Sequence, residues 1–120
     1  GIDCGGTYLK AGLYNSQGKE FAIERQSVRT LSPQPGWAER DMAELWQHCA
    51  ATISRLLQRT GVGGENIQGV GISAQGKGLF LLDKNDQPLG SAILSSDRRA
   101  MEIVARHLGV SRATVYSDAR

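Results

Sequence analysis

A chain of 120 residues can build one compact domain or one lobe of a larger protein, and 40% hydrophobic with 22% charged residues is a globular balance that excludes disorder. Fourteen Lys and Arg are interspersed with twelve Asp and Glu, so the net charge of +2 does not argue for a polyanionic partner. Cys4 and Cys49 stand far apart without metal-ligand spacing, which suggests neither zinc nor a disulfide and points to a reducing, cytoplasmic setting, and no apolar run reaches the roughly 20 residues of a membrane span.

The chain opens at Gly1 rather than Met and shows no basic-then-apolar leader, so its first strand, over residues 1–4, is expected to be cut short. Tyr8 to Tyr14 alternates around small residues and predicts a second strand, closed by the turn "NSQG" at 15–18; a β-hairpin follows from the pair. Residues 20–28 set Phe21 and Ile23 against polar neighbours as a third antiparallel strand. The stretch "LSPQPGWAERD" is an irregular connection, and Asp41 with Glu44 three residues on marks a helix start. The helix runs from Met42 through Leu45, Trp46, Cys49, Ile53, Leu56 and Leu57 on one apolar face to Gly61, with Trp46 and Cys49 assigned to packing. Strands are expected at 67–73 and 78–83, with the turn "KNDQPLG" after the second and a short strand at "SAIL". Asp97 then caps a second helix through about Leu108, and no linker or repeat interrupts the chain.

The chemistry-bearing stretch is "DCGGT", residues 3–7, inside the first hairpin. A turn that receives a phosphate chain needs glycine, because a Cβ blocks close approach and backbone N–H groups must point into the concavity. Gly5 and Gly6 answer that need, Thr7 adds a hydroxyl and Lys10 a nearby cation, while Asp3 at the strand end suits a magnesium ion. A tight hairpin with Asp3 bonded to backbone amides is the plainer reading of the same residues. Two other motifs fail on context. "GISAQGK" lacks the Ser or Thr and the helix that a P-loop requires, and the glycines of "GVGISA" lie inside a strand rather than after one.

Taken together, "GIDCGGTYLKAGLYNSQG", "PGWAERDMAELW" and "GVGISAQGKGLFLLDKNDQPLGSAILSSDRRA", in that order, resemble the FGGY family of carbohydrate kinases over residues 1–105. The resemblance implies an α/β fold, the N-terminal lobe of an actin-like (ribonuclease H-like) ATPase with a mixed sheet. It implies transfer of the ATP γ-phosphoryl group to a sugar hydroxyl, with ATP and Mg2+ as cofactors and a ketopentose as substrate. By the same likeness Asp3 serves the metal and Gly5, Gly6 and Thr7 line the phosphate channel, with Lys10 beside them. Gly6 departs from the usual Gly-Thr-Thr or Gly-Thr-Ser. Gln75, Gly76 and Lys77 fall where relatives contact the sugar. Gly76 and Lys77 replace the Arg-Glu of glycerol kinases, which argues against glycerol and leaves room for a bulkier ketose. Asp97 and Arg98 would hold sugar hydroxyls or brace the cleft wall, and a charged pair opening a helix also suits a plain cap. Trp37 and Glu39 suit either the site entrance or a staple into the core. The family's general base, adenosine pocket and second phosphate motif lie beyond residue 120, so the isolated chain is expected to be inactive. Pairing of two copies is compatible with the resemblance.

After Ala105 the likeness fades, and "ARHLGVSRATVYSDAR" has the Ala105, Gly109, Val115 spacing of a helix-turn-helix. Residues 98–120 carry five Arg against Glu102 and Asp118, and Ser111, Arg112, Thr114 and Tyr116 would face DNA. A DNA-binding regulator using residues 102–116 is therefore one alternative, although the preceding hundred residues build nothing such a reader needs. A non-catalytic sensor lobe that keeps the actin-like fold is another.

Overall fold

A computed structural model of the chain describes residues 1–109. Three strands lead: β1 (Ile2–Cys4), β2 (Tyr8–Tyr14) and β3 (Glu20–Ser27). They pair as an antiparallel meander, with Asp3 opposite Lys10 and Ala11 opposite Glu24. The alternation in β2 puts Leu9 and Ala11 on one face, where both are buried, and Lys10 on the other. The turn after β2 closes because the Asn15 side-chain oxygen accepts the N–H groups of Gln17 and Lys19, and Gly18 takes the left-handed φ of 78° that the bend demands.

A short strand β4 (Glu39–Arg40) leads into helix α1 (Met42–Thr60). The expected cap is present: the Asp41 side chain accepts the Glu44 N–H at 2.9 Å, and Gly61 ends the helix at φ 67°. Helix α1 packs on β2 and β3, burying Thr52 and Leu56. Thr52 hands its hydroxyl to the His48 carbonyl at 2.7 Å, so the burial leaves no orphan donor. Along its edge Arg59 pairs with Glu24 at 3.0 Å and donates to the Ile23 carbonyl, while Arg55 reaches Gln26. Trp46 departs from the packing role expected for it: it is 73% exposed, because the inward row runs through Leu45, Cys49, Thr52 and Leu56 and leaves its neighbour Trp46 pointing outward.

The chain returns as β5 (Ile72–Ala74), parallel to β1, giving the mixed sheet β3-β2-β1-β5. The strand expected at 67–73 thus keeps only its last part, since residues 67–71 form no strand and only the Gly71 carbonyl, accepting the Ile2 N–H at 2.8 Å, joins them to β1. The strand expected at 78–83 is not formed. Its residues make isolated bridges, Leu79 to Ile93 and Leu82 to Pro88. Asp83 folds the chain back by accepting the N–H groups of Asn85 and Gln87, and Pro88 has no N–H with which to extend the ladder. Strand β6 (Ala92–Ile93) pairs with β4 in a second, two-stranded sheet. Helix α2 (Arg99–Leu108) follows and ends at Gly109 with φ 65°. Asp97 sits one position ahead of the cap residue Arg98 and takes the Arg99 N–H on its carboxylate at 2.8 Å. Ala105 is buried on this helix; the remainder of the 102–116 segment read as a helix-turn-helix, from residue 110 on, lies outside the described residues.

Candidate functional site: the first hairpin turn and its neighbours

Because β1 and β5 are parallel and in register, with Cys4 beside Ala74, the turn at Gly5 and the loop at Gln75 leave the sheet side by side. Crevices outside the carboxyl ends of adjacent parallel strands are where α/β proteins take ligands. Asp3 and Lys10, cross-strand neighbours on the face away from α1, pair at 3.6 Å with both side chains half exposed, so neither is spent on a rigid internal contact.

The two glycines do different work. A Cβ on Gly5 would stand 2.8 Å from the Tyr8 carbonyl oxygen, and the Gly5 N–H already donates to that oxygen at 3.0 Å. Gly5 is therefore demanded by the hairpin's own closure rather than by room for a ligand. A Cβ on Gly6 would lie 3.0 Å from Nε2 of Gln75, so Gly6 lets the Gln75 side chain come against the turn. The Gln75 side-chain oxygen is buried there and has no hydrogen-bond donor among the described residues. The Thr7 carbonyl accepts from the Val28 N–H at 3.0 Å, while the N–H groups of Gly6 and Thr7 meet no protein acceptor among the described residues. Gly76 and Lys77 follow on an exposed loop, with open space where a Gly76 side chain would stand.

Behind the turn lies a residue that sequence reasoning did not single out. Arg40, on β4, is 4% exposed. It donates to the carbonyls of Gly5 at 3.2 Å and Gly6 at 2.6 Å, and through Nε to the Arg29 carbonyl at 3.4 Å. No carboxylate among the described residues pairs with it. Burial lowers its pKa from the ordinary arginine value, and it still carries its charge. Burial also pushes the thiol of the adjacent Cys4 upward, helped by Cys49 and Asp3.

Asp97 and Arg98 stand elsewhere in the structure, on the connection that supports β4. The Asp97 carboxylate, 5% exposed, accepts the Ala38 N–H at 2.7 Å, the Arg99 N–H, and Nε and Nη2 of Arg99. Hydrogen bonds from the Arg99 side chain hold its pKa at about 2. Arg99 also bonds Glu39 at 2.6 Å and lies 3.8 Å above the Trp37 ring. The Arg98 N–H donates to the Gly36 carbonyl at 2.8 Å. Trp37, Ala38 and Glu39 are thus clamped by residues 97–99, and Arg40 follows them directly in the chain. An apolar groove of about 540 Å³ between β2 and α1, lined by Ala11, Leu13, Ile53 and Leu57, includes neither the turn nor Gln75.

The turn's donor set suits magnesium in one specific way. Among the described residues no group of three or more His, Cys, Asp or Glu could cage a metal ion. Magnesium that arrives with a nucleotide needs one or two carboxylates and takes its remaining ligands from phosphates and water, which a half-exposed Asp3 can satisfy.

The sequence is 71% identical over 106 residues to an L-xylulose/3-keto-L-gulonate kinase from Escherichia coli (strain K12), covering 88% of this chain and 21% of the relative. It is 54% identical over 104 residues to a protein from Pasteurella multocida (strain Pm70) named as a probable L-xylulose kinase, covering 87% of this chain and 22% of that protein. The crystal structure of a xyloylose kinase from Brucella ovis superposes with a TM-score of 0.81 at 30% identity, over 88% of this chain and 22% of that one. The chain thus spans about a fifth of the length of the relatives it matches, and its mixed sheet with flanking helices is the actin-like ATPase fold of sugar kinase N-terminal domains. The profile of the FGGY family of carbohydrate kinases, N-terminal domain, matches residues 1–114, and the chain belongs to that family.

Proposed function

We propose that this chain forms the first phosphate-binding hairpin and part of the sugar-facing wall of an ATP-dependent kinase that phosphorylates a ketopentose of the L-xylulose type. The observation that carries the reading is the turn itself: the N–H groups of Gly6 and Thr7 have no protein acceptor among the described residues, and they stand beside Asp3 and a Gln75 oxygen that meets no donor among them. Two such N–H groups are anion donors, and the buried amide oxygen is suited to a hydroxyl donor from a polyol. Phosphoryl transfer leaves little covalent work to the protein, so positioning and charge stabilisation are what these residues supply.

In this reading Gly6 and Thr7 receive the phosphates, and Lys10, paired with Asp3, adds positive charge at the same face. Asp3 is the residue that would hold a magnesium ion, whose contribution when bound is to neutralise charge on the transferring group. Gln75, Gly76 and Lys77 face the sugar, and the open space at Gly76 suits a substrate larger than glycerol. Arg98 belongs to this wall, and Asp97 serves it by bracing, because both its carboxylate oxygens are already engaged. The proposed setting is the cytoplasm, where ATP is at hand.

The test is ADP release by the intact polypeptide carrying these residues, assayed with Mg-ATP and a panel of L-xylulose, D-xylulose and glycerol. L-Xylulose is expected to give the highest kcat/KM and glycerol the lowest. Nucleotide binding without turnover on any sugar would indicate a sensor lobe, and a salt-dependent shift of duplex DNA without nucleotide binding would indicate a regulator.

A further inference from the structure

Arg40 is buried, cationic and without a carboxylate partner among the described residues. Such a charge is costly unless something compensates it. Its fork meets two carbonyls in succession, those of Gly5 and Gly6. In a planar trans peptide the C=O of one residue and the N–H of the next point in opposite directions, and no peptide bond here is cis. With the Gly5 carbonyl turned to Arg40, the Gly6 N–H points away from it; with the Gly6 carbonyl turned the same way, so does the Thr7 N–H. Adjacent N–H groups facing one side form an anion-binding nest. These are the same two groups that find no acceptor among the described residues.

We propose that Arg40 is the positioning residue of the phosphate turn: its guanidinium locks two consecutive peptides so that the N–H groups of Gly6 and Thr7 face the nucleotide phosphates, and those phosphates are its counter-charge. The inference rests on the kinase reading of the hairpin. It also gives the bracing cluster a purpose, since Asp97, Arg99 and Glu39 fix the segment that carries Arg40 into place. A lysine keeps the charge but lacks the planar fork that can hold two carbonyls at once.

The experiment uses the intact polypeptide carrying wild-type Arg40, Arg40→Lys or Arg40→Gln. It measures dissociation constants for Mg-ATP, Mg-ADP and adenosine, the KM for L-xylulose, and thermal unfolding. The expected result is weaker Mg-ATP and Mg-ADP binding by about tenfold or more in Arg40→Gln, the scale of a lost charge-assisted hydrogen bond. Arg40→Lys should fall between, and adenosine affinity and the sugar KM should stay within about twofold. Wild type that binds no nucleotide overturns the kinase reading, and this proposal with it. Wild type that binds and turns over, with an Arg40→Gln variant that binds Mg-ATP normally or loses adenosine and ATP affinity alike, overturns only the role of Arg40. Two variants that both fail to fold would make Arg40 a scaffold residue and overturn it as well.

Discussion

The carboxylate of Asp97 shows how a single residue changes meaning once its neighbours are known. From the chain alone it reads equally as a helix cap or a sugar ligand. In the structure four donors converge on it from Ala38 and Arg99. Those bonds hold its folded pKa at about 2, below the roughly 3.9 of an unperturbed Asp. A group whose pKa is depressed on folding stabilises the folded state above its unfolded pKa and loses that contribution as pH falls through the folded one. The melting temperature is therefore expected to fall between about pH 4 and pH 2 through loss of this contribution. Asp97→Asn should melt lower than wild type at pH 7 and show a shallower acid decline over that window. Parallel acid declines for the two proteins would remove Asp97 from the account. Arg40 makes the complementary point. Nothing local distinguishes an arginine ahead of a helix cap, and its role follows only from the two carbonyls it meets across 35 and 34 residues of chain.

Among the elements, β2 and α1 were the most legible, because each carries its period and its own punctuation. The alternation from Tyr8 to Tyr14 stops at an Asn-Ser-Gln-Gly turn, and the helix has a capping aspartate at one end and a left-handed glycine at the other. The cap is open to measurement: Asp41→Ala is expected to lower unfolding free energy by about 1 kcal/mol in urea titration, with Asp41→Asn close to wild type. Equal losses in both would mean that the Glu44 N–H bond is not the source. The apolar run at 78–83 misled for a physical reason. Continuous hydrophobicity says that a segment wants cover, but pairing depends on a partner, and here the partner includes Pro88. Trp46 misled in the same way, since an apolar residue next to a buried row need not belong to it.

For the molecule as a whole, the sheet is covered over β2 and β3 by α1, while large apolar side chains elsewhere remain in solvent. Ile72 is 71% exposed, and Val70, Leu79, Leu81, Leu82 and Leu89 are exposed with it. The polypeptide of residues 1–120 on its own is accordingly expected to bind a hydrophobic dye such as ANS strongly and to consume no ATP in the presence of L-xylulose. Sugar-dependent ADP release by that polypeptide would contradict this expectation.

By itself the sequence determined the local events: where the first hairpin turns, where α1 begins and ends, and which motifs, in which order, resemble the FGGY kinases. Those depend on contacts a few residues apart or on residue identity alone. Only the tertiary structure decided that Gly5 serves hairpin closure, that Gln75 comes against Gly6, that Asp97 is a brace and that Arg40 stands behind the turn. Apart from the Gly5 closure, which meets the Tyr8 carbonyl three residues on, each of these is an encounter between residues tens of positions apart, and the direction of a peptide group is set by what its carbonyl meets.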